Sequence, residues 1–180
     1  MDDSHAIVTP SPLGPIWLAA TDRDLCALEF GPTLNRLAGH LKRHAIEPPT
    51  PDETPLLQEA AAQLAAYFDR RLRAFDLPLD LRGTPFQRAV WDELRHISYG
   101  QTLTYGEIAL EVASPNAAQA VGRAVGANPV SIIVPCHRVL GHNGALTGYA
   151  FGLDRKSALL QLEQNGLQLR MANGELGVAS

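Results

Sequence analysis

Cysteine is scarce in this chain of 180 residues: Cys26 and Cys136 are the only two. Two thiols cannot build a disulfide framework or a four-thiolate zinc site. The histidines are scattered without ligand spacing, so no metal is expected. No apolar run approaches the ~20 residues that span a bilayer, which argues against a helical membrane protein. The opening Met1-Asp2-Asp3-Ser4-His5 is acidic and lacks the basic-then-apolar order of a secretory signal. The expectation is a cytoplasmic protein, in a compartment reducing enough to keep Cys136 a free thiol. A cationic surplus is missing too, the net charge being −4. Residues 1–83 hold 8 Lys/Arg against 12 Asp/Glu, and residues 84–169 hold 6 of each. Any nucleic acid should therefore bind the second half, without a strong electrostatic footprint. What is present is ordinary globular composition, 46% hydrophobic and 19% charged. The length suits one large domain or two small ones.

Short apolar runs separated by turn residues open the chain. Residues 6–9, 16–20 and 25–30 read as strands of a small antiparallel meander, with the Pro- and Gly-rich stretch 10–15 between the first two. A helix is expected over 33–44, a proline-rich loop over 47–55, and a returning strand over 74–81. Leu57, Ala61, Leu64 and Phe68, at spacings of three and four, predict a helix over 55–71. Thr84-Pro85-Phe86-Gln87 marks a boundary: Thr caps, Pro takes the first helical position, and Gln closes a capping box on a helix to about His96. Thr104-Tyr105-Gly106-Glu107 opens a short helix to Val112 by the same device, and Ser114-Pro115 opens another to about Gly126. Two short helices joined by a tight turn are either packed core helices or a helix-turn-helix. The second is rich in Ala and Gly, thin enough to pack closely on another backbone or to enter a groove about 6 Å wide. Val130 to Val134 reads as a buried strand, and Gly141 to Gly144 as a turn. Residues 155–164 read as a last helix, capped by Asp154 and ended by Asn165-Gly166. The fold class is α+β, with a domain over 1–83 (a small antiparallel sheet with helices), a mostly helical domain over 84–169, and a tail over 170–180.

A lone cysteine is usually a small buried hydrophobe. Cys136 has a setting that offers a second reading. It follows an apolar stretch and a proline, and precedes His137 and Arg138. A thiol attacks as its thiolate, which nearby cations, helix N-termini or a base must favour. Neighbours in sequence point different ways, so a link from Cys136 to His137 runs through a water or another residue. The adjacency also argues against a cysteine hydrolase, whose base usually comes from a distant segment.

Ile133-Val134-Pro135-Cys136-His137-Arg138-Val139 resembles the active-site signature of the O6-alkylguanine-DNA alkyltransferases, the methylated-DNA–protein-cysteine methyltransferases. The resemblance continues through Phe86-Gln87-Arg88-Ala89-Val90-Trp91, Thr104-Tyr105-Gly106, Ala120-Val121-Gly122, Asn128-Pro129, Gly144 to Tyr149 and Leu159-Leu160-Gln161-Leu162-Glu163. It covers about half the chain. The N-terminal region shares only a pattern of sheet and helices, which in that family is ribonuclease-H-like. The resemblance implies direct-reversal DNA repair, in which Cys136 takes the alkyl group of O6-alkylguanine, or of O4-methylthymine, and is consumed. It implies that His137 acts as base through a bound water, that Glu163 orients His137, that Asn128 holds the turn beneath Cys136, and that Tyr105 gives a proton to the leaving guanine. Pro135, Val139, Tyr149, Ala150 and Phe151 would line the pocket for a base flipped out of the duplex. The helix pair becomes a helix-turn-helix in the minor groove of double-stranded DNA, with Tyr105, Gly106, Ser114, Ala118, Gln119, Arg123 and Gln87 as contacts. A monomer without a cofactor is expected. From the residues alone, Glu163 also reads as a solvated helix position and Asn128 as a helix cap. A non-catalytic lesion-binding protein of the same fold is the alternative, and the presence of a cysteine at 136 argues against it.

Two positions depart from the family pattern. Gln119 stands where most members carry an arginine that fills the gap left by the flipped base. The expectation is that Gln119 fills it while Arg123, one turn later on the same face, contacts phosphate. Phe151 occupies a loop position that is small in some members and aromatic in others; its ring is expected to leave room for methyl and to crowd benzyl.

Overall fold

The computed structural model describes residues 2–33 and 35–172, with side chains as far as Gly166. Contacts divide the chain into two compact units, Met1–Gly83 with Pro129–Ser131, and Thr84–Asn128 with Ile132–Ser180. No helix among the described residues is long and apolar enough to cross a membrane.

In the first unit, β1 (Ser4–Thr9), β2 (Ile16–Thr21) and β3 (Leu25–Phe30) form the antiparallel meander. Ala6 pairs with Ala19, and Ala19 with Ala27, so one cross-strand row carries only methyl groups. That shallow row takes the apolar stripe of α1 (Asn35–Arg43): Leu37 and Leu41 join the three alanines, Cys26 and Ile46 in one buried cluster. Helix α2 (Pro55–Phe68) starts at Thr54, whose hydroxyl accepts the Leu57 N–H, and buries Leu57, Ala60, Leu64 and Tyr67. The proline-rich loop contains a two-residue strand, β4 (Thr50–Pro51), parallel to β1 at the sheet edge. The other edge, β3, is covered by isolated contacts. Leu25 N–H donates to Pro78 O, Asp80 N–H to Leu25 O, and Leu28 N–H to Pro129 O, which leaves little open template for foreign strands.

Three expectations need correction here. The returning strand over 74–81 shrinks to one bridge at Leu79, because Pro78 has no N–H with which to continue a ladder. Val130 to Val134 is buried but is not a strand. Val130 bridges to Leu28, and then Ile132, at φ 71°, turns the chain away. Its apolar run reported burial, which a turn satisfies as well as a strand. Helix α2 stops at Phe68, short of the expected Arg71.

In the second unit, α3 (Pro85–Arg95) and α4 (Tyr105–Val112) both begin with complete capping boxes, Thr84 with Gln87 and Thr104 with Glu107. Ser114 is extended but makes no side-chain cap bond. One turn of 3-10 helix over Pro115–Ala117 leads into α5 (Ala118–Gly126). Trp91 of α3 donates its indole N–H to Ala124 O of α5 at 2.8 Å, fixing the helix pair from behind. Helix α6 (Leu153–Ala172) begins one residue before Asp154, so Asp154 is not the cap; its carboxylate sits in the first turn, where it complements the helix dipole. The helix also runs through Asn165-Gly166 instead of ending there. Of the expected tail over 170–180, residues 170–172 are helical and the rest lies outside the described residues.

Glu29 of β3, buried, accepts the backbone N–H groups of Arg36 and Leu37, one on each carboxylate oxygen, and so caps α1 from the preceding strand. Glu29→Ala leaves two helix N–H groups without that acceptor and should cost about 1–3 kcal/mol. Urea denaturation measures it, and an unchanged midpoint contradicts the assignment.

Candidate active site

Asn128 follows α5 and sends its side-chain amide across the loop, donating to Val134 O at 2.8 Å. The same carbonyl accepts the Cys136 N–H, also at 2.8 Å. A bond from residue i+2 back to i, around Pro135 at φ −81° and ψ 65°, is an inverse γ-turn. Proline suits its centre, since the ring fixes φ and no N–H is needed there. Cys136–Arg138 then make one turn of 3-10 helix, closed by Arg138 N–H to Pro135 O at 3.0 Å. Cys136 opens that turn and is 5% exposed. Cys26 has a different environment: its thiol faces Ala19 O at 3.4 Å, and burial, helped by Asp80, pushes its pKa up to about 12. Cys26 stays a thiol.

Lys156, Leu159, Glu163 and Gly166 recur at spacings of three and four along one buried stripe of α6. Glu163 is fully buried and accepts three sets of donors. His137 Nε2 lies 2.7 Å from Oε1, Arg138 Nε and Nη2 donate at 2.9–3.2 Å, and the Gly100 N–H donates at 3.0 Å. Burial pulls the carboxyl pKa upward, but the hydrogen bonds and charges of His137 and Arg138 outweigh it and hold it well below the usual range. His137 is fully buried as well, and burial pushes its pKa below 6.5 against the pull of Glu163. The ring is therefore neutral near pH 7. A carboxylate only accepts, so the ring proton sits on Nε2 and Nδ1 keeps its lone pair. Nδ1 has no hydrogen-bond partner among the described residues. Arg138 supplies the counter-charge. Its Nη1 donates to Ile97 O at 2.6 Å, and its guanidinium lies 5.9 Å from the centroid of the Tyr99 ring.

A two-residue parallel pairing, β5 (Leu103–Thr104) with β6 (Val139–Leu140), sets the start of α4 beside the turn that carries Cys136. Tyr105, the first residue of α4, is half-buried and donates its hydroxyl to Thr147 O at 3.3 Å. A Cβ on Gly122 of α5 would lie 3.9 Å from its ring, an ordinary van der Waals contact, so α5 packs directly beside the tyrosine. Burial first, and the charge of Cys136 second, raise the Tyr105 pKa. Lys156 Nζ donates to Val139 O, to Thr147 O at 2.6 Å and to Gly148 O at 2.9 Å, and lies 5.9 Å from the Tyr105 ring centroid. Burial pulls its pKa down to about 8, opposed by the charge of Cys136.

The structure thus gathers Cys136, His137, Glu163, Asn128 and Tyr105. Pro135 and Val139 are buried at the same turn; Tyr149 and Phe151 form an edge-to-face pair with centroids 5.7 Å apart, and Ala150 between them is exposed. The remaining positions stand elsewhere on the unit. Gly106 and Ala118 are half-buried in the first turns of α4 and α5, whereas Ser114, Gln119 and Arg123 are exposed. Gln87 lies on α3, its amide oxygen already accepting the Thr84 N–H at 3.0 Å. The sequence reading passed over Arg138, Lys156 and the Gly100 N–H. A signal was present for Lys156 and Glu163, two charges on the stripe that Leu159 marks as buried.

Replacing Lys156 with methionine keeps much of the volume but removes the donor that three carbonyls share. We expect Lys156→Met to cost about 1–3 kcal/mol and to speed amide hydrogen exchange over 145–150. Unchanged exchange there would show that the ammonium does not hold the loop.

Residues 85–165 match the family model described as 6-O-methylguanine DNA methyltransferase, DNA binding domain, and residues 5–81 match that of its ribonuclease-like domain. The methylated-DNA–protein-cysteine methyltransferase of Methanosarcina barkeri is 47% identical over 161 residues, 89% of this chain and 98% of its own length. That of Mycobacterium tuberculosis is 46% identical over 164 residues, 89% of this chain and 93% of the relative. Among solved structures, M. tuberculosis OGT in complex with DNA superposes with a TM-score of 0.78 at 45% identity, covering 90% of this chain and 94% of that one. The chain belongs to the methylated-DNA–protein-cysteine methyltransferase family, the O6-alkylguanine-DNA alkyltransferases.

Proposed function

We propose that this protein repairs alkylated DNA by direct reversal, moving the alkyl group from O6 of guanine, or O4 of thymine, onto Cys136. The observation that carries this reading is the arrangement at residues 134–138. A near-buried thiol stands on a turn pinned by Asn128, next to a neutral imidazole whose Nε2 is held by Glu163. His137 takes the thiol proton at Nδ1 through an intervening water. The thiolate attacks the alkyl carbon in line, an S–C bond forms as the C–O bond breaks, and Tyr105 gives the departing purine a proton. The proton held by His137 balances that donation. The thioether has no leaving group that water displaces easily, so each molecule acts once and no cofactor is required.

Residues 84–169 form the DNA-binding and alkyl-acceptor domain in this reading, residues 1–83 its ribonuclease-H-like companion, and 170–180 a tail. Helices α4 and α5 act as a helix-turn-helix in the minor groove, the lesion base being flipped into a pocket of Pro135, Val139, Tyr149, Ala150 and Phe151. Gly106, Ser114, Ala118 and Gln87 contact the duplex, Gln119 fills the gap in the stack and Arg123 meets phosphate. The Phe151 ring favours methyl over benzyl adducts. The cytoplasm, where thiols stay reduced, is the site of action.

Exposure to duplex DNA containing O6-methylguanine should add one methyl to the peptide bearing Cys136, read by mass spectrometry. Cys136→Ala should leave the lesion intact; repair by that variant would overturn the proposal. The pH profile supplies a second test. Because burial holds His137 below 6.5, its neutral form persists in acid past the ordinary histidine value. Single-turnover transfer should therefore hold its plateau through pH 6.5 and fall only below it. A decline centred at or above 6.5 would exclude a buried neutral His137 as the base.

A further inference from the structure

Gly166 lies inside α6 with a helical backbone, not among the glycines with positive φ. Glycine there weakens a helix relative to alanine, and no turn or cap at this point requires it. The neighbour that does require it is Tyr99. A Cβ at Gly166 would fall 2.5 Å from the Tyr99 hydroxyl oxygen and 3.4 Å from ring atoms Cε1 and Cζ. Tyr99 cannot easily retreat: it is buried, lies beneath the Arg138 guanidinium, and its hydroxyl faces Leu162 O at 3.5 Å.

The same stretch of α6 grips the next residue from two sides. Glu163 accepts the Gly100 N–H at 3.0 Å, and Gln164 Nε2 donates to Gly100 O at 2.9 Å. Leu162, Glu163, Gln164 and Gly166 therefore dock α6 onto Tyr99-Gly100, and the Glu163 carboxylate that meets His137 belongs to this docking. We propose that Tyr99 and Gly166 are positioning residues: their close fit sets where α6 rests, and so delivers Glu163 to His137. The proposal deepens the functional reading above and rests on it for its effect on rate.

The test uses the full chain as Gly166→Ala, Tyr99→Phe and the double variant. Two readouts are taken, single-turnover methyl transfer from an O6-methylguanine duplex and the ring-nitrogen resonances of 15N-labelled His137. The added methyl should push α6 off Tyr99, alter the His137 Nε2–H signal and slow transfer by about tenfold to a hundredfold, the scale of an ångström-sized misplacement. Tyr99→Phe removes the hydroxyl, so that a Cβ at 166 would meet only ring atoms at 3.4 Å, and it sets the signal and rate against which the double variant is read. The double variant should recover both signal and rate, which a general loss of helix stability would not do. A Gly166→Ala protein with parental His137 resonances and rate overturns the proposal, as does a double variant no better than Gly166→Ala. If Gly166→Ala fails to fold, the double variant decides: recovered fold and transfer support the fit, and an equally unfolded double overturns it. Resonances that shift in Gly166→Ala and recover in the double, at constant transfer rate, support the fit while refuting the role of His137 as base.

Discussion

A carboxylate with no exposed surface is costly unless its charge and its lone pairs are answered, and the second unit is organised around answering those of Glu163. Arg138 neutralises the charge and contributes a forked pair of donors; Gly100 gives a backbone N–H, and His137 gives the last. The donors come from two places: the turn after Cys136 supplies His137 and Arg138, and the loop after α3 supplies Gly100, while α6 carries the acceptor. The network therefore ties three segments together and, in doing so, fixes a tautomer. With Arg138 as the cation, His137 need not be charged for the pair to be stable, and burial keeps it neutral. The imidazole keeps its Nδ1 lone pair because the arginine, and not the histidine, compensates the carboxylate.

The two cysteines show how little the residue type decides. Both are buried and neither is in a disulfide. Cys26 lies on a strand among alanines and leucines, with a carbonyl for a partner, and its thiolate is suppressed. Cys136 begins a 3-10 turn within reach of the charge of Lys156, on a backbone that a proline and an asparagine hold in one shape. Lys156 gives its protons to three carbonyls of β6 and the following loop, so the ammonium whose charge is felt at Cys136 also ties that loop to β6.

The legible parts of this fold were those written in local chemistry. Capping boxes at Thr84 and Thr104 located α3 and α4, and turn residues separated the three strands of the meander, because each of those signals acts over a few residues. Signals that depend on distant partners were misread. The apolar run 130–134 looked like a strand because burial on all sides leaves no periodicity, and the bend at Ile132 has no sequence mark. Gly166 looked like a helix end because glycine usually is one; its reason lies 67 positions away in Tyr99. Arg138 escaped notice as the neighbour of two more conspicuous residues, although a charge beside a buried nucleophile must itself be buried or reach far. Glu163 was found only through resemblance, yet its place on the stripe of Leu159 marked it as interior.

The charge balance bears on how such a protein holds DNA. Residues 84–169 carry six Lys/Arg, and two of them, Arg138 and Lys156, are withdrawn into the interior. Arg155 gives one guanidinium nitrogen to Phe151 O at 3.2 Å. Among the described residues of this unit, Arg88, Arg95 and Arg123 are the exposed arginines, too few for an electrostatic grip on a polyanion. In the proposed reading recognition then falls on shape: the small residues of α5, which pack beside the Tyr105 ring on one side, leave a slim helix on the other. Small side chains would then serve interior and surface at once, which is why composition alone could not choose between a packing helix and a groove-binding one. In that reading the alternatives are two faces of the same element, and the helix satisfies both, packing beside Tyr105 on one side and meeting the duplex on the other.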